Sequence, residues 1–324
     1  MSAINTIKQP IAEELKEFEA HFRKALKSKV PLLDIITNYI LRRKGKQMRP
    51  MFVFLSARLF GEITKRTYTA ATLIELLHTA TLVHDDVVDN SKLRRGFFSI
   101  NALWKSKIAV LVGDYLLSKG LLTATQNKEY ELLDIVSEAV KEMAEGELLQ
   151  LEKARKLNIS EAVYFEIITK KTATLIASCT AAGAKSAGAS DELVGKMKDF
   201  GTYAGISFQI KDDLFDYNEH NKTGKPAGND IHEKKMTLPL IYALNNSNGS
   251  EKRKIIRIVR KKKKENADIQ SVVGFVREKG GIEYAREAMM AYRQKAEAVL
   301  NEIQDSPSKE SLKELLIYVT ERKK

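Results

Sequence analysis

Three aspartates and two arginines crowd into "TLVHDDVVDNSKLRRG", Thr81 to Gly96, directly behind an apolar helical run. Asp85 and Asp89 are four residues apart, so on a helix they leave nearly the same face, about 6 Å apart along the axis. Like charges so placed destabilise the helix unless a cation lies between them. Carboxylate oxygens suit a hard cation such as Mg2+, which takes one or two protein carboxylates and completes its shell with water and phosphate oxygens. Lys92, Arg94, Arg95, Lys105 and Lys107 follow, and adjacent arginines carry the forked donors that grip phosphate. The plainer alternative is an acidic helix end salted by downstream arginines. Chance alone supplies one such aspartate pattern in about 7% of chains of this length.

A second copy changes that balance. "FQIKDDLFDY" places Asp212, Asp213 and Asp216 at the same spacing, again after an apolar run. Two chance copies are expected in on the order of a few per thousand chains. Two carboxylate patches on facing helices would clamp a cluster of magnesium ions around one diphosphate, with Lys170, Lys171 and Lys225 neutralising its remaining charge.

These patches need apolar helices to carry them, and the chain supplies them. Of 324 residues, 44% are hydrophobic and only six are proline, enough apolar material for a sizeable core with a bias toward helix. Apolar residues recur at three- and four-residue spacing, as at Ile11, Leu15, Phe18 and Phe22, then Leu73, Leu76, Leu77 and Ala80. Alternating strand patterns are scarce, and no low-complexity linker divides the chain. The expectation is a single all-α domain over residues 1–324. The lone Cys179 excludes a disulfide framework and a cysteine-rich zinc site, and reads as a small core residue. No signal peptide or membrane span is expected, which points to a cytoplasmic protein. The net charge of +12 admits nucleic acid, a membrane surface or anionic small substrates. The densest basic run, "RKKKKEN" at Arg260 to Asn266, has no interleaved aromatics and reads as a solvated helix face.

With these pieces in view, most of the chain resembles the trans-isoprenyl diphosphate synthases, or polyprenyl synthetases. "KGKQMRP" is similar to that family's GGKRxRP. "ELLHTATLVHDDVVDNSKLRRG" resembles its first aspartate-rich motif and arginine pair. "VLVGDYLLSKG", "KKTATLI", "FQIKDDLFDY" and "TGKPAGNDIHEKKMTLPLIYAL" follow in the family's order. The resemblance implies an isoprenoid-synthase-type helical bundle around a deep apolar cavity. It assigns isopentenyl diphosphate to Lys46, Arg49, His78 and Arg95. It assigns Mg2+, three ions per site once diphosphate is bound, to Asp85, Asp89, Asp212 and Asp216. Arg94, Lys171, Thr172, Gln209 and Lys225 would contact the allylic diphosphate, with Lys235 assisting. Two departures stand out: Lys44 and Gln47 replace the first Gly and first Arg of GGKRxRP, and Lys211 and Lys234 stand at positions that are usually apolar and glycine. None removes an assigned residue.

The implied reaction is ionisation of the allylic diphosphate, attack by the double bond of isopentenyl diphosphate, and loss of a proton to the departing diphosphate. Catalysis would rest on Asp85, Asp89, Lys171, Asp212 and Lys225, with His84 in a structural role. Product length would be set one helical turn behind Asp85, at the small Ala80 and Thr81, with Leu77 beyond them. Small residues there imply a medium- or long-chain all-trans product, such as a quinone side chain. The competing readings are a farnesyl or geranylgeranyl diphosphate synthase, a class I terpene cyclase, and a non-catalytic subunit of a heteromeric synthase. A nucleic-acid binder leaves the ordered motifs unexplained. The resemblance further implies a homodimer, with Ile108–Leu122 as a candidate interface. Membrane contact would be peripheral at most, through the basic segment after Ser250.

Overall fold

A computed structural model describes residues 3–42, 45–94, 96–157, 159–217 and 228–322 of the chain. The expected helical architecture is present. The first helices are α1 (Ala3–Lys8), α2 (Ala12–Leu26), α3 (Pro31–Leu41), α4 (Met48–Arg58), α5 (Lys65–Val88), α6 (Ile100–Gln126), α7 (Tyr130–Lys156) and α8 (Glu161–Ile168). Then come α9 (Thr174–Ser186), α10 (Asp191–Phe215), α11 (Asn229–His232), α12 (Leu238–Asn245), α13 (Gly249–Arg260), α14 (Asn266–Glu278), α15 (Gly281–Asn301) and α16 (Pro307–Glu321). Among the described residues the one sheet is a hairpin of β1 (Leu93–Arg94) and β2 (Phe97–Phe98), paired antiparallel.

The chain forms two compact units. The first comprises Met1–Val140, Ser178–Lys198 and Ile303–Leu312; the second comprises Lys141–Ala177, Asp199–Glu302 and Lys313–Lys324. At the centre of the first unit lies α5, which buries Leu73, Ile74, Leu76, Leu77, Ala80 and Val83. A helix so apolar around its circumference is stable only inside a protein, and each large side chain it buries contributes roughly 1.5–3 kcal/mol. Its closest neighbour along the seam is α6. A Cβ at Gly113 of α6 would fall 2.0 Å from His84 Nε2, so glycine there opens the slot in which His84 sits. His84 Nε2 also lies 3.2 Å from the Val110 carbonyl oxygen, consistent with a structural role. Ser99 starts α6 by accepting the Ala102 N–H at 3.0 Å and donating to the Ser91 carbonyl at 2.6 Å, which ties the hairpin's two ends together.

The second unit has its own core, built by Tyr164 and Ile168 of α8, Ile210 and Leu214 of α10, Leu240 and Ile241 of α12, and Val272 and Val276 of α14. Cys179, in the first unit, is buried and burial pushes its thiol well above the ordinary range, as expected of a core residue.

Two expectations change. The basic run is not a solvated helix face. It lies between α13 and α14, where Lys261 pairs with Asp268 at 2.6 Å and Lys264 is buried, donating to the Lys261 and His232 carbonyls at 2.9 and 3.3 Å. The other concerns α6, which by length and composition alone is apolar enough to cross a membrane, with a mean hydropathy of 1.3 over its most apolar 18 residues. The charges within it, including Lys105, Lys107 and Asp114, concealed this in the sequence. One such helix is weak evidence for a membrane span, because a core helix passes the same test.

Candidate active site

In the first unit the site is organised by one face of α5. Glu75, Thr79, Leu82 and Asp86 recur at the spacing that keeps them on one side of a helix, and all four line a cavity of about 460 Å3. At one end of this stripe Glu75 accepts from Arg49: Nη2 lies 2.9 Å from Oε2 and Nε 3.2 Å from the same oxygen. At the other end Asp86, only 3% exposed, accepts from both Nε and Nη2 of Arg94 at 2.8 Å. Lys46 completes the basic wall, while Phe18, Phe22, Tyr39 and Ile100 form the apolar one. Two arginines fixed by carboxylates beneath them and a lysine beside them suit an anion with an apolar tail.

The end of α5 presents the remaining aspartates. Asp85 is half-buried and Asp89 exposed, and the Asp89 N–H donates to the Asp85 carbonyl at 2.8 Å in the last helical bond. Carboxylates at this end face the negative pole of the helix and gain from any cation placed there. Arg94 answers Asp86 in this way. Oxygen-only donors at a helix C-terminus fit a hard divalent ion at Asp85 and Asp89. Behind them Thr81 is half-buried on the Asp85 face, its Oγ1 donating to the His78 carbonyl at 2.8 Å. Ala80 is fully buried among Leu76, Val83, Ala109, Val112 and Leu116, and Leu77 packs on Gly120 of α6.

In the second unit Asp213 and Asp216 of the second motif are both buried; Asp213 is held by side chains. Tyr164 Oη donates to it at 2.7 Å and Gln209 Nε2 at 2.9 Å, while Gln209 Oε1 accepts from Thr172 Oγ1 at 2.9 Å. Burial, with the nearby charge of Asp230, raises the Asp213 carboxyl to about 7 against the pull of those two hydrogen bonds. Asp216 has both oxygens engaged, accepting the backbone N–H groups of Asn229 at 2.9 Å and Asp230 at 2.8 Å. It thereby fastens the start of α11, and burial raises it to about 6. Asp212 is 39% exposed and pairs with Arg322, whose guanidinium lies 4.2 Å from the centre of the Phe208 ring. A guanidinium already drawn to Asp212 shows a carboxylate presented to cations.

Lys171 and Thr172 sit in a π-helical turn, Thr169–Ala173, between α8 and α9, a distortion common at functional positions. Lys171 pairs with Glu147 and donates to Gln150 Oε1 at 3.1 Å. Hydrogen bonds to Glu145 and Glu142 push neighbouring Lys170 up to about 12. Lys235 is held by Glu233 at 2.6 Å and Asp230 at 3.5 Å; burial opposes its charge, but these acids outweigh burial and raise it.

The structure therefore gathers Lys46, Arg49 and Arg94 around one cavity of the first unit, although sequence reasoning had assigned Arg94 to the other substrate. His78, on α5, is not among the described residues of that cavity's wall. Asp213, Gln209 and Thr172 form one hydrogen-bonded group in the second unit, while Asp212 pairs with Arg322. Lys44, Arg95 and Lys225 lie outside the described residues. Sequence reasoning overlooked Glu75, Tyr164, Glu147 and Gln150 and gave Asp86 no role of its own; these residues hold the candidate site side chains in place. Glu75 and Asp86 did leave a signal, being the acidic ends of one helical stripe.

Comparison with known proteins shows the family and the fold. The family model for polyprenyl synthetases matches residues 30–276. The octaprenyl diphosphate synthase of Escherichia coli is 34% identical over 95% of this chain and 96% of its own. A polyprenyl synthase from Caulobacter crescentus, solved with calcium and isoprenyl diphosphate, superposes with a TM-score of 0.91 at 32% identity over 99% of this chain and 98% of that one. A geranylgeranyl pyrophosphate synthase from Bacteroides thetaiotaomicron gives 0.85 at 41% identity, over 99% and 100%. The fold is that of the all-α isoprenoid synthases, and the chain belongs to the polyprenyl synthetase family.

Proposed function

We propose that the protein is an all-trans polyprenyl diphosphate synthase, a prenyltransferase that joins an allylic diphosphate to isopentenyl diphosphate head to tail and repeats the step. The observation that carries this reading is the shared plan of the two aspartate motifs. In each, the second aspartate is buried and hydrogen-bonded, Asp86 to Arg94 and Asp213 to Tyr164 and Gln209. In each, the first, Asp85 or Asp212, is only half-buried. The chain would act as one functional domain spanning residues 1–324.

Mg2+ would be held by Asp85, Asp89 and Asp212, with Asp216 contributing only the lone pairs its two amide bonds leave. Three ions per site is the expected number. When bound, the metal neutralises the charge that develops on the leaving diphosphate. The chain's own contribution is to bind and to orient. Lys171, Thr172 and Gln209, with Lys225 and Lys235, would hold the allylic diphosphate. Lys46, Arg49 and Arg95, joined by His78, would hold isopentenyl diphosphate, and Arg94 stands at the same cavity wall. Glu75 and Asp86 fix the arginines before substrate arrives, which lowers the ordering cost of binding. The apolar walls exclude water from the allylic cation.

The product is assigned to the medium- or long-chain class because the positions behind Asp85 are small. Thr81 shares the Asp85 face, and Ala80 allows α5 to lie close to α6. The enzyme would act in the cytoplasm as a homodimer through α6, whose Leu103, Val110, Leu111, Leu121 and Leu122 are each more than 40% exposed. Sedimentation equilibrium should return twice the chain mass, and the chain mass alone would refute the dimer.

Two further outcomes are expected. Asp85→Ala lowers turnover by about 100-fold or more while the thermal transition stays near that of the parent; near-normal Mg2+-dependent activity would rule out its role. Thr81→Phe shortens the products made from farnesyl and isopentenyl diphosphates, and Ala80→Phe does so at a stability cost of about 1–3 kcal/mol from overpacking. Unchanged product lengths in both variants would remove the chain-length assignment.

A further inference from the structure

The π-helical turn Thr169–Ala173 is pinched between two glycines of the second unit. On one side, a Cβ at Gly146 of α7 would lie 2.8 Å from the Lys171 backbone nitrogen and 2.9 Å from Lys170 Cβ. On the other, a Cβ at Gly205 of α10 would lie 2.5 Å from Ala173 Cα and 2.8 Å from its Cβ. No rotamer change relieves a collision with backbone. Any side chain at these positions must move the turn or the helix against it.

Each glycine also stands four residues before the amide side chain that holds one member of the turn. Gln150 follows Gly146 and accepts from Lys171 Nζ at 3.1 Å. Gln209 follows Gly205 and accepts from Thr172 Oγ1 at 2.9 Å. Residues at this spacing lie on one helix face, so the close backbone approach and the side-chain anchor are parts of the same contact on both sides. Glu147, next to Gly146, adds the ion pair to Lys171. Gly183 of α9 also approaches backbone closely, since a Cβ there would lie 2.3 Å from the Val53 carbonyl oxygen, but no amide side chain stands four residues on. A Cβ at Gly274 of α14 meets nothing within 4 Å.

We propose that Gly146 and Gly205 are positioning residues that hold the π-turn so that Lys171 and Thr172 are presented together to the allylic diphosphate. This rests on the reading above that Lys171 and Thr172 bind that diphosphate. A methyl group at either glycine shifts the turn, and a displacement of about 1 Å in a positioning group is enough to cost up to about 100-fold.

The test is steady-state kinetics of Gly146→Ala, Gly205→Ala, Gly274→Ala and Lys171→Ala with farnesyl and isopentenyl diphosphates, alongside their thermal transitions. Both pinching-glycine variants should raise KM for farnesyl diphosphate about tenfold and leave KM for isopentenyl diphosphate within about twofold. Gly274→Ala should match the parent. Equal effects on the two substrates, no effect, or failure of both pinching-glycine variants to fold would overturn the proposal, provided Lys171→Ala does raise the farnesyl KM. If Lys171→Ala leaves that KM unchanged, the assignment of the turn to the allylic diphosphate is what fails, and the proposal falls with it.

Discussion

The constraint on which the rest depends is negative charge at the end of an apolar helix. α5 buries its length in the first unit and finishes in Asp85, Asp86 and Asp89, where the helix's own negative pole adds to theirs. Such an end is stable only with cations beside it. Arg94 supplies one, and the hairpin that carries it exists to bring it back eight residues later onto Asp86. The metal ions proposed for Asp85 and Asp89 supply the others. On the proposed reading, substrate binding would be built into the electrostatic balance of the fold, because a Mg2+–diphosphate complex would offset a charge the apolar helix cannot.

The second unit solves the same problem with neutral partners. Asp213 is buried beside Tyr164 and Gln209, both of which donate to it, and its raised carboxyl reflects burial that those bonds only partly offset. Gln209 then passes the arrangement on to Thr172 in the π-turn. In both motifs the middle aspartate is buried and hydrogen-bonded, while the first, Asp85 or Asp212, is only half-buried.

Much of this was legible in the sequence for a physical reason. Helical periodicity is a local signal, and the aspartate spacing repeats on two apolar helices, so the all-α fold and both motifs could be read directly. The anchoring residues were harder, because Glu75 and Asp86 declare their role only once Arg49 and Arg94 are seen above them. The family resemblance makes Asp216 a metal ligand, whereas its two backbone hydrogen bonds depend on how residues 228–230 return. The π-turn left no periodicity of its own. Nor did Lys105, which takes φ 71° and ψ 161° inside α6, a backbone region nearly confined to glycine and costing about 1–3 kcal/mol elsewhere. Ala80 was read as pocket lining, and its full burial against α6 shows that it also serves helix packing.

The most direct test of the central claim is the mass of the products formed by purified protein from farnesyl diphosphate, isopentenyl diphosphate and Mg2+. The account predicts a ladder of linear prenyl diphosphates that depends on both substrates and ends beyond geranylgeranyl diphosphate. A ladder ending at geranylgeranyl diphosphate would contradict the assigned product class. Cyclised hydrocarbon, or no chain growth by the protein alone, would contradict the proposed reaction itself.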